Sequence, residues 1–578
     1  VSTVITPFGD AGLLVNVEDD RAAHRLAASI EVDPSPPPGI IETVVGLCTV
    51  LVHIDPVIAD PAGIQDWLAR LGSSGPSPGA PSAAPPSAGT PSATPPSPGA
   101  SSPGPPGRVV EIPVTFDGPD LDDIAGAIDA GVEEVTRLVT STELRVAFIG
   151  FAPGFPYLVG LPPPLAGIER RSSPRTQVAS GSVALAAGFA AVYPQSTPGG
   201  WQLIGHTDLS LFDPSTPPFA LLRAGDTVRF TLATDAARSP APDPSARTSV
   251  ATGAAPTRAP LRATSGRHIE ILEPGTLTLM QDAGRRGLAA IGVPAAGATD
   301  PDGLRLANRL VGNSDDAAAL ELTVHGPTIR FSADGHIGVV GDADLKLDDR
   351  SVAADAVVPV AAGQVLAVGA LRQHIRSYLA LDGGLQGPLT LGSRSSDVLA
   401  GLGPGPLYAG DQVDLGNPGH PRGRLAPLPT GPSIHIVRGP HHGAETELQK
   451  LARACWTVDG RSNRVGLRLT SSRSSGNGET LIRPPSAGIP SCGMVNGAIQ
   501  IPPDGQPIVL MPDHATVGGY PVMATVISAD WGALGRLGPG DDVRFELVDL
   551  DEARSLRREH ERLLDASVSG WFPTQSTS

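Results

Sequence analysis

Lysine is almost missing from this chain. Of its 578 residues, 42 are lysine or arginine, and only Lys346 and Lys450 are lysine. Neither follows a glycine, so no Gly-Lys-Ser/Thr phosphate loop exists. Neither stands in an Ala-Met-Lys-Met biotin-attachment sequence. Cysteine is nearly as scarce. Cys48, Cys455 and Cys492 are far apart, which argues against a structural zinc site and a disulfide scaffold. There is no nucleophile elbow and no His-Glu-x-x-His helix. Aromatic residues are only 4% of the chain. No apolar run reaches the roughly 18 residues of a membrane span, and the N-terminal residues lack a basic segment followed by an apolar one. The net charge of −17 disfavours nucleic-acid and anionic-membrane partners, which need a basic face. These absences lead us to expect a cytoplasmic protein whose chemistry uses carboxylates, arginine, histidine and backbone groups.

What the chain has in excess is Gly (69) and Pro (61). Part of that excess lies in residues 73–107, which carry no charge, no aromatic ring and no large aliphatic side chain. Such a segment cannot bury enough surface to offset its ordering entropy and reads as a disordered linker. Residues 234–267 read as a second flexible linker. The remaining glycines and prolines punctuate short apolar strands. We expect a small α+β domain over 1–72, a β-rich domain over 108–233, a strand-rich region over 268–552, and a C-terminal helix and tail over 553–578. PDLDDIAGAIDAGVEEVTRL reads as helical with Asp120 as N-cap. DPDGLRLANRLVG reads as a helix capped by Asp300, with Pro301 at its first position and Gly312 at its stop.

An internal repeat runs through the second and third parts. GSVALAAGFAAVYPQSTPGGW leads to LLRAGDTVRFTL, and GAIQIPPDGQPIVLMPDHATVGGY leads to RLGPGDDVRFEL. One unit used twice predicts duplicated β-barrels. The Gly-Asp turns at Asp226 and Asp541 read as structural chain reversals.

Polar residues cluster at four turns. They are Gln281, Asp282, Arg285 and Arg286; Ser393, Arg394, Ser396 and Asp397; Asp513 and His514; and His206 and Asp208. Arginine and aspartate beside glycine-rich backbone suit carboxylate or phosphate binding. The same residues also suit ion pairs that lock loops together. FIGFAPGFPYLVGLP brings Phe148, Phe151, Phe155 and Tyr157 into one rigid turn, which either plugs a barrel or lines a pocket or interface.

The segments GFAPGFPYLVGLP, SPRTQVASGSVAL, YPQSTPGGWQLIGHT and AGDTVRF, with GDAGLLV and LVHIDP before them, resemble the KipI or allophanate-hydrolase-subunit-1 family, associated with the B component of 5-oxoprolinase. EPGTLTLMQDAGRRG, GVPAAGATD, ANRLVGN, AALEL, YLALDGGL, LGSRSSD, SNRVGLRL, GAIQIPPDGQPIVL and VGGYP resemble the KipA or allophanate-hydrolase-subunit-2 family, associated with the C component of 5-oxoprolinase. Together they cover most of the chain outside the linkers. The resemblance implies a mainly β fold with α+β parts: cyclophilin-like β-barrel domains preceded by a small α+β domain, with two such barrels in 268–552. Three roles follow from it. One is the B–C part of an ATP-dependent 5-oxoprolinase with a separate LamB/YcsF-type A component. Another is a carboxyltransferase-type component related to urea carboxylase. The third is a non-catalytic regulator of a sensor kinase. The KipI-like half precedes the KipA-like half, and no biotin carboxylase sequence accompanies them, which favours the first.

That role implies ATP and Mg²⁺, with the two halves pairing within or between chains. It implies catalytic roles for Asp282, Asp513, His514 and His206. It implies substrate or phosphate binding by Arg285, Arg394, Ser393, Gln202, Asn308, Gly518, Gly519 and Tyr520. Asp282 and Asp513 are the candidates for metal or proton handling, and no metal ligand is fixed. The chain departs from the family pattern at Val139, Leu144, His206, Cys492 and His514. If those positions bind substrate, activity or specificity has drifted. Cys492, with apolar neighbours and no activating cation, reads as a buried structural thiol.

Overall fold

Alternating apolar residues pair Gly12–Asn16 with Thr49–Ile54 at the centre of a four-stranded antiparallel sheet. Helices Asp20–Val32 and Pro61–Ser73 cover one face through Leu26, Ile30, Ile64, Trp67 and Leu68. This is the small α+β unit expected at the start of the chain. The computed structural model describes residues 4–73, 108–233, 258–421, 423–425, 433–471, 482–484 and 489–567. The expected linker 73–107 therefore lies almost wholly outside the described residues. Of the second, 258–267 is ordered. Arg258 binds Asp411 and lies over the Tyr408 ring at 5.3 Å, while Thr264 and Ser265 bind Asp414. The sequence reading placed that boundary too late because these polar residues find partners about 150 positions away.

The repeat predicted from sequence is a repeat of topology. In the first copy a seven-stranded sheet ends in Val109–Val114, which pairs in parallel with Thr227–Leu232. Its two edges are joined where Thr115 and His206 exchange backbone hydrogen bonds of 2.8 and 2.9 Å. In the second copy, Ile434–Arg438 pairs in parallel with Asp542–Leu547 and closes a seven-stranded barrel. Each copy carries a short ribbon, Arg175–Val178 with Thr197–Gly199 in the first and Cys492–Gly493 with Val517–Gly518 in the second. The Gly-Asp turns match as well. Asp226 accepts from the Arg223 N–H and Asp541 from the Gly538 N–H. The cyclophilin-like barrels preceded by an α+β unit are thus present.

Between the barrels, strands from His268 to Leu415 form a seven-stranded and a five-stranded sheet around one core. Of the two barrels expected over 268–552, only the stretch after residue 433 closes. So many strands in a single barrel would leave a lumen too wide for side chains to fill, and two facing sheets fill it instead.

Local caps were predicted with mixed success. Asp300 does cap helix Pro301–Leu310 by accepting from the Gly303 N–H. The C-terminal helix Leu550–Ala566 is capped by Asp549. Asp120 does not cap. Its carboxylate instead receives Arg171, Arg175 and the Leu203 N–H. The expected single helix after it is two, Leu121–Ala127 and Val132–Thr140, broken at Asp129 in the left-handed region. Lys346 is exposed on strand Ala343–Leu347, and Lys450 is exposed on helix Glu445–Arg453. No helix among the described residues is long and apolar enough to cross a membrane.

One apolar cluster joins the parts. Phe8, Leu14, Val44 and Leu51 of the α+β unit meet Phe148 of the first barrel and Cys492, Met494, Val517 and Val522 of the second. Polar contacts frame it. Leu47 N–H binds Ser491 O, His53 binds Met494 O, and Asp10 accepts from Ser528 N–H and Oγ–H. The halves therefore pair within one chain. Cutting the backbone between residues 73 and 108 should leave the N-terminal unit bound on gel filtration. Phe8→Ala, which removes a fully buried ring at a cost of about 3–5 kcal/mol, should release it.

Candidate active site

Strand Leu277–Gln281 runs into a turn that lies against the loop 390–397. Asp282 holds the two together. Its Oδ1 accepts from Ser393 Oγ at 2.6 Å, Ser395 Oγ at 2.5 Å and Gly284 N at 2.8 Å. Its Oδ2 accepts from Arg394 N at 2.6 Å. Gly284 has φ +84°, and a Cβ there would lie 2.5 Å from Ala295 O, so only glycine fits. Arg285 points inward and donates to the carbonyls of Thr390 and Ser395.

Next to this turn a buried chain of charge crosses from the sheets to the second barrel. Glu321, on strand Ala319–Thr323, accepts from Arg464 at 2.6 Å, Tyr378 Oη at 2.6 Å and Thr299 N at 2.9 Å. Arg464 also grips Asp513 through two bonds of 2.9 and 2.8 Å and donates to Gly297 O. Burial opposes ionisation of Glu321, yet Arg464 and Arg376 outweigh it and hold its pKa below the ordinary value. Asp513 has only a share of Arg464 and faces Asp397 as well. Burial pushes it up to about 6. Burial also raises Asp397 and lowers Arg285.

Buried polar atoms at this turn and the loop facing it have no hydrogen-bond partner among the described residues, Gln281 Oε1, Arg285 Nη1, Arg394 Nε and Asp397 Oδ2 among them. A buried orphan costs roughly 1–3 kcal/mol, so such a group marks a place where a ligand can bind. A guanidinium N–H beside two carboxyls of raised proton affinity can hold an anion and move a proton.

The structure thus brings Asp282, Arg285, Ser393, the Arg394 backbone and Asp513 into one region. Asp282 accepts four donors that tie the turn to the loop, which suits a positioning role, whereas Asp513 meets a single guanidinium. Arg394 turns its guanidinium to Gln386. Asn308 Nδ2 donates to Ala317 O and its Oδ1 accepts from Asn313 Nδ2, which ties helix to loop. His514 is buried with its pKa lowered to about 4, and its Nδ1 meets Ala515 O, so it stays neutral. His206 and Gln202 share no contact with this region. They belong to the first barrel, on Asp117 and Glu169 O. Gly518 pairs with Cys492 in the ribbon, and Tyr520 is 46% exposed. Val139 and Leu144, two of the departures from the family pattern, are buried core. Burial pushes the Cys492 thiol up to about 12, which agrees with a structural role.

Glu321 and Arg464 were missed as site residues. Glu321 had a signal, a lone charge inside the apolar stretch AALEL, whereas Arg464 follows Ser462 and Asn463 and shares SNRVGLRL with a second arginine, so nothing local marked it. Among the described residues no group of three or more His, Cys, Asp or Glu could hold a metal ion. Asp282 and Asp513 do not fit Mg²⁺, since their oxygens are already engaged, and no step is assigned to that ion.

The family described as carboxyltransferase domain, subdomain C and D, matches residues 3–222, and carboxyltransferase domain, subdomain A and B, matches residues 291–547. The C component of 5-oxoprolinase from Escherichia coli (strain K12) is 34% identical over 306 residues, 51% of this chain and 96% of that protein. The B component of 5-oxoprolinase from Bacillus subtilis (strain 168) is 50% identical over 126 residues, 21% of this chain and 52% of that protein. Urea amidolyase of Lachancea kluyveri is 31% identical over 341 residues, 53% of this chain and 18% of that protein. The crystal structure of TTHA0988 superposes with a TM-score of 0.75 at 29% identity, covering 93% of this chain and 99% of that one.

Removing Arg464 tests the charge chain. Arg464→Met would leave Asp513 without its cation and Glu321 with Arg376 alone, and should cost about 3–5 kcal/mol at neutral pH. A carboxyl whose pKa is raised on folding binds its proton more tightly in the folded state. The deficit should therefore shrink as pH falls from 7 toward 5, read from denaturant midpoints.

Proposed function

The chain belongs to the carboxyltransferase-domain family, and from the similarity of its two halves to the B and C components of 5-oxoprolinase we propose that it is the fused B–C component of an ATP-dependent 5-oxoprolinase. It would work with a separate LamB/YcsF-type A component. ATP would enter as a substrate, and the lactam of 5-oxo-L-proline would be opened to glutamate.

An amide carbon resists water because its nitrogen feeds electrons to the carbonyl. Transfer of the terminal phosphoryl group of ATP to the lactam oxygen removes that protection. Water then adds to the carbon, the C–N bond breaks to give an acyl phosphate, and a second water releases phosphate and glutamate. This route needs a cation for the developing oxyanion, and a group that takes a proton from water and returns it to the ring nitrogen. The observation that carries the reading is the buried set of Arg285 Nη1, Asp397 Oδ2 and Gln281 Oε1 without partners among the described residues, in the region of Asp513. Arg285 is suited to the oxyanion or the substrate carboxylate, and Asp513 to the proton. Asp282 and Ser393 hold the loop that aims Arg285.

The test is release of ADP and glutamate from ATP and 5-oxoproline, with and without the LamB/YcsF-type partner. Turnover should require both the partner and the lactam. Asp513→Asn should abolish ADP release while leaving the circular dichroism spectrum unchanged, and full activity in that variant would refute the assignment. Because ionised Asp513 is the proton acceptor, activity should fall as pH drops through about 6.

A further inference from the structure

The ribbon of the first barrel and the loop leading into it bring three arginines, Arg170, Arg171 and Arg175, to one place. Arg171 Nη1 and Arg175 Nη2 both donate to the same oxygen of Asp120, at 2.7 and 2.8 Å. One carboxylate therefore serves two converging guanidiniums. Arg170, the next residue along, is exposed and has no ion pair among the described residues. Its chain neighbours are held in place, since Arg171 N–H donates to Gly200 O and Gln202 Nε2 donates to Glu169 O.

Three buried donors here have no partner among the described residues: Arg171 Nε, Arg175 Nη1 and Thr197 Oγ1. Thr197 faces Val178 across the ribbon, and Gly199 faces Arg175. Beneath them is the aromatic turn singled out in the sequence. Phe155 meets Tyr193 edge to face at 5.1 Å and Trp201 at 5.9 Å, and Tyr157 lies 5.6 Å from Trp201. Gly199, opposite Arg175 in the ribbon, lies so close to Tyr193 that a Cβ on it would stand 2.3 Å from the Tyr193 Oη, so the ribbon sits beside this floor.

The matching ribbon of the second barrel is built differently. Cys492 there pairs with Gly518 as Arg175 pairs with Gly199, and Val44 and Leu51 of the α+β unit cover it. The first ribbon has arginines where the second has an apolar contact. Packing alone gives no reason for two guanidiniums per carboxylate with N–H groups left over.

We propose that the first barrel carries an oxyanion-binding site, built from Arg170, Arg171, Arg175 and Thr197 beside the aromatic floor, for the carboxylate or phosphate of a small ligand. Guanidinium forks match the planar, two-oxygen edge of either group. Adjacent rings suit a flat ligand body. The site is separate from the Asp513 region and does not depend on the reaction proposed for it.

The test is calorimetric titration of the full chain, without partner, against inorganic phosphate, ATP and 5-oxo-L-proline. Binding of phosphate and ATP would assign the site to a phosphate, and binding of 5-oxoproline alone would assign it to a carboxylate. Either should weaken about 10- to 100-fold in Arg170→Gln, the worth of one charge-assisted hydrogen bond. Arg372→Gln, at an exposed pair with Asp344 on another unit, should change nothing. Thr197→Val keeps the side-chain shape and removes the donor, so affinity should fall there too. No binding by any probe, or undiminished affinity in both Arg170→Gln and Thr197→Val, overturns the proposal. The readout is binding, so a complex that fails to turn over would count against the reaction and leave this site standing.

Discussion

One guanidinium holds the C-terminal half to a single geometry. Arg464 comes from the second barrel, yet it lies between Glu321 of the sheets and Asp513 of its own barrel. The charges are out of water, so each must be paired or protonated. Glu321 gains the further support of Arg376 and Tyr378 and stays ionised. Asp513 receives what is left, and its proton affinity rises. The same bond that aligns two structural units therefore also sets the chemistry available where they meet. Loop 390–397, fastened by Asp282, then aims Arg285 at that place.

What could be read from the sequence divides along the range of the interactions. Asp300 and Pro301 announce a helix start, because capping involves residues three positions apart. Asp120 looks the same locally and behaves differently, because Arg171 and Arg175 claim it from more than fifty residues away. The duplicated barrels were legible as a repeat of turn signals, and the strand order bears this out. The two-sheet unit was not, because nothing local tells a strand which sheet it joins. At the site the residue types were legible and the roles were not. Asp282 was visible as a polar residue before a glycine-rich turn, but its four donors come largely from a loop more than a hundred positions later. Glu321 and Arg464 explain each other only once strand and barrel meet.

The two barrels also show how one topology diverges in use. Both end in a parallel strand pair and both carry a two-stranded ribbon. One ribbon became apolar and disappeared beneath the α+β unit. The other kept arginines and small polar residues at its surface. The α+β unit lies against both barrels, with His24 on Ala147 O and Asp20 on Arg145 of the first and Leu47 on Ser491 O of the second, and the ribbon it covers is that of the second.

The near-absence of lysine has a practical side. Lys346 and Lys450 are both exposed, one on a strand of the central sheets and one on a helix of the closing barrel. Amine-directed reagents will meet only two side chains on the whole protein. The chain is in effect supplied with a pair of addressable marks, one on each side of the Arg464 junction. A dye pair installed there would follow movement between the two units without engineered cysteines.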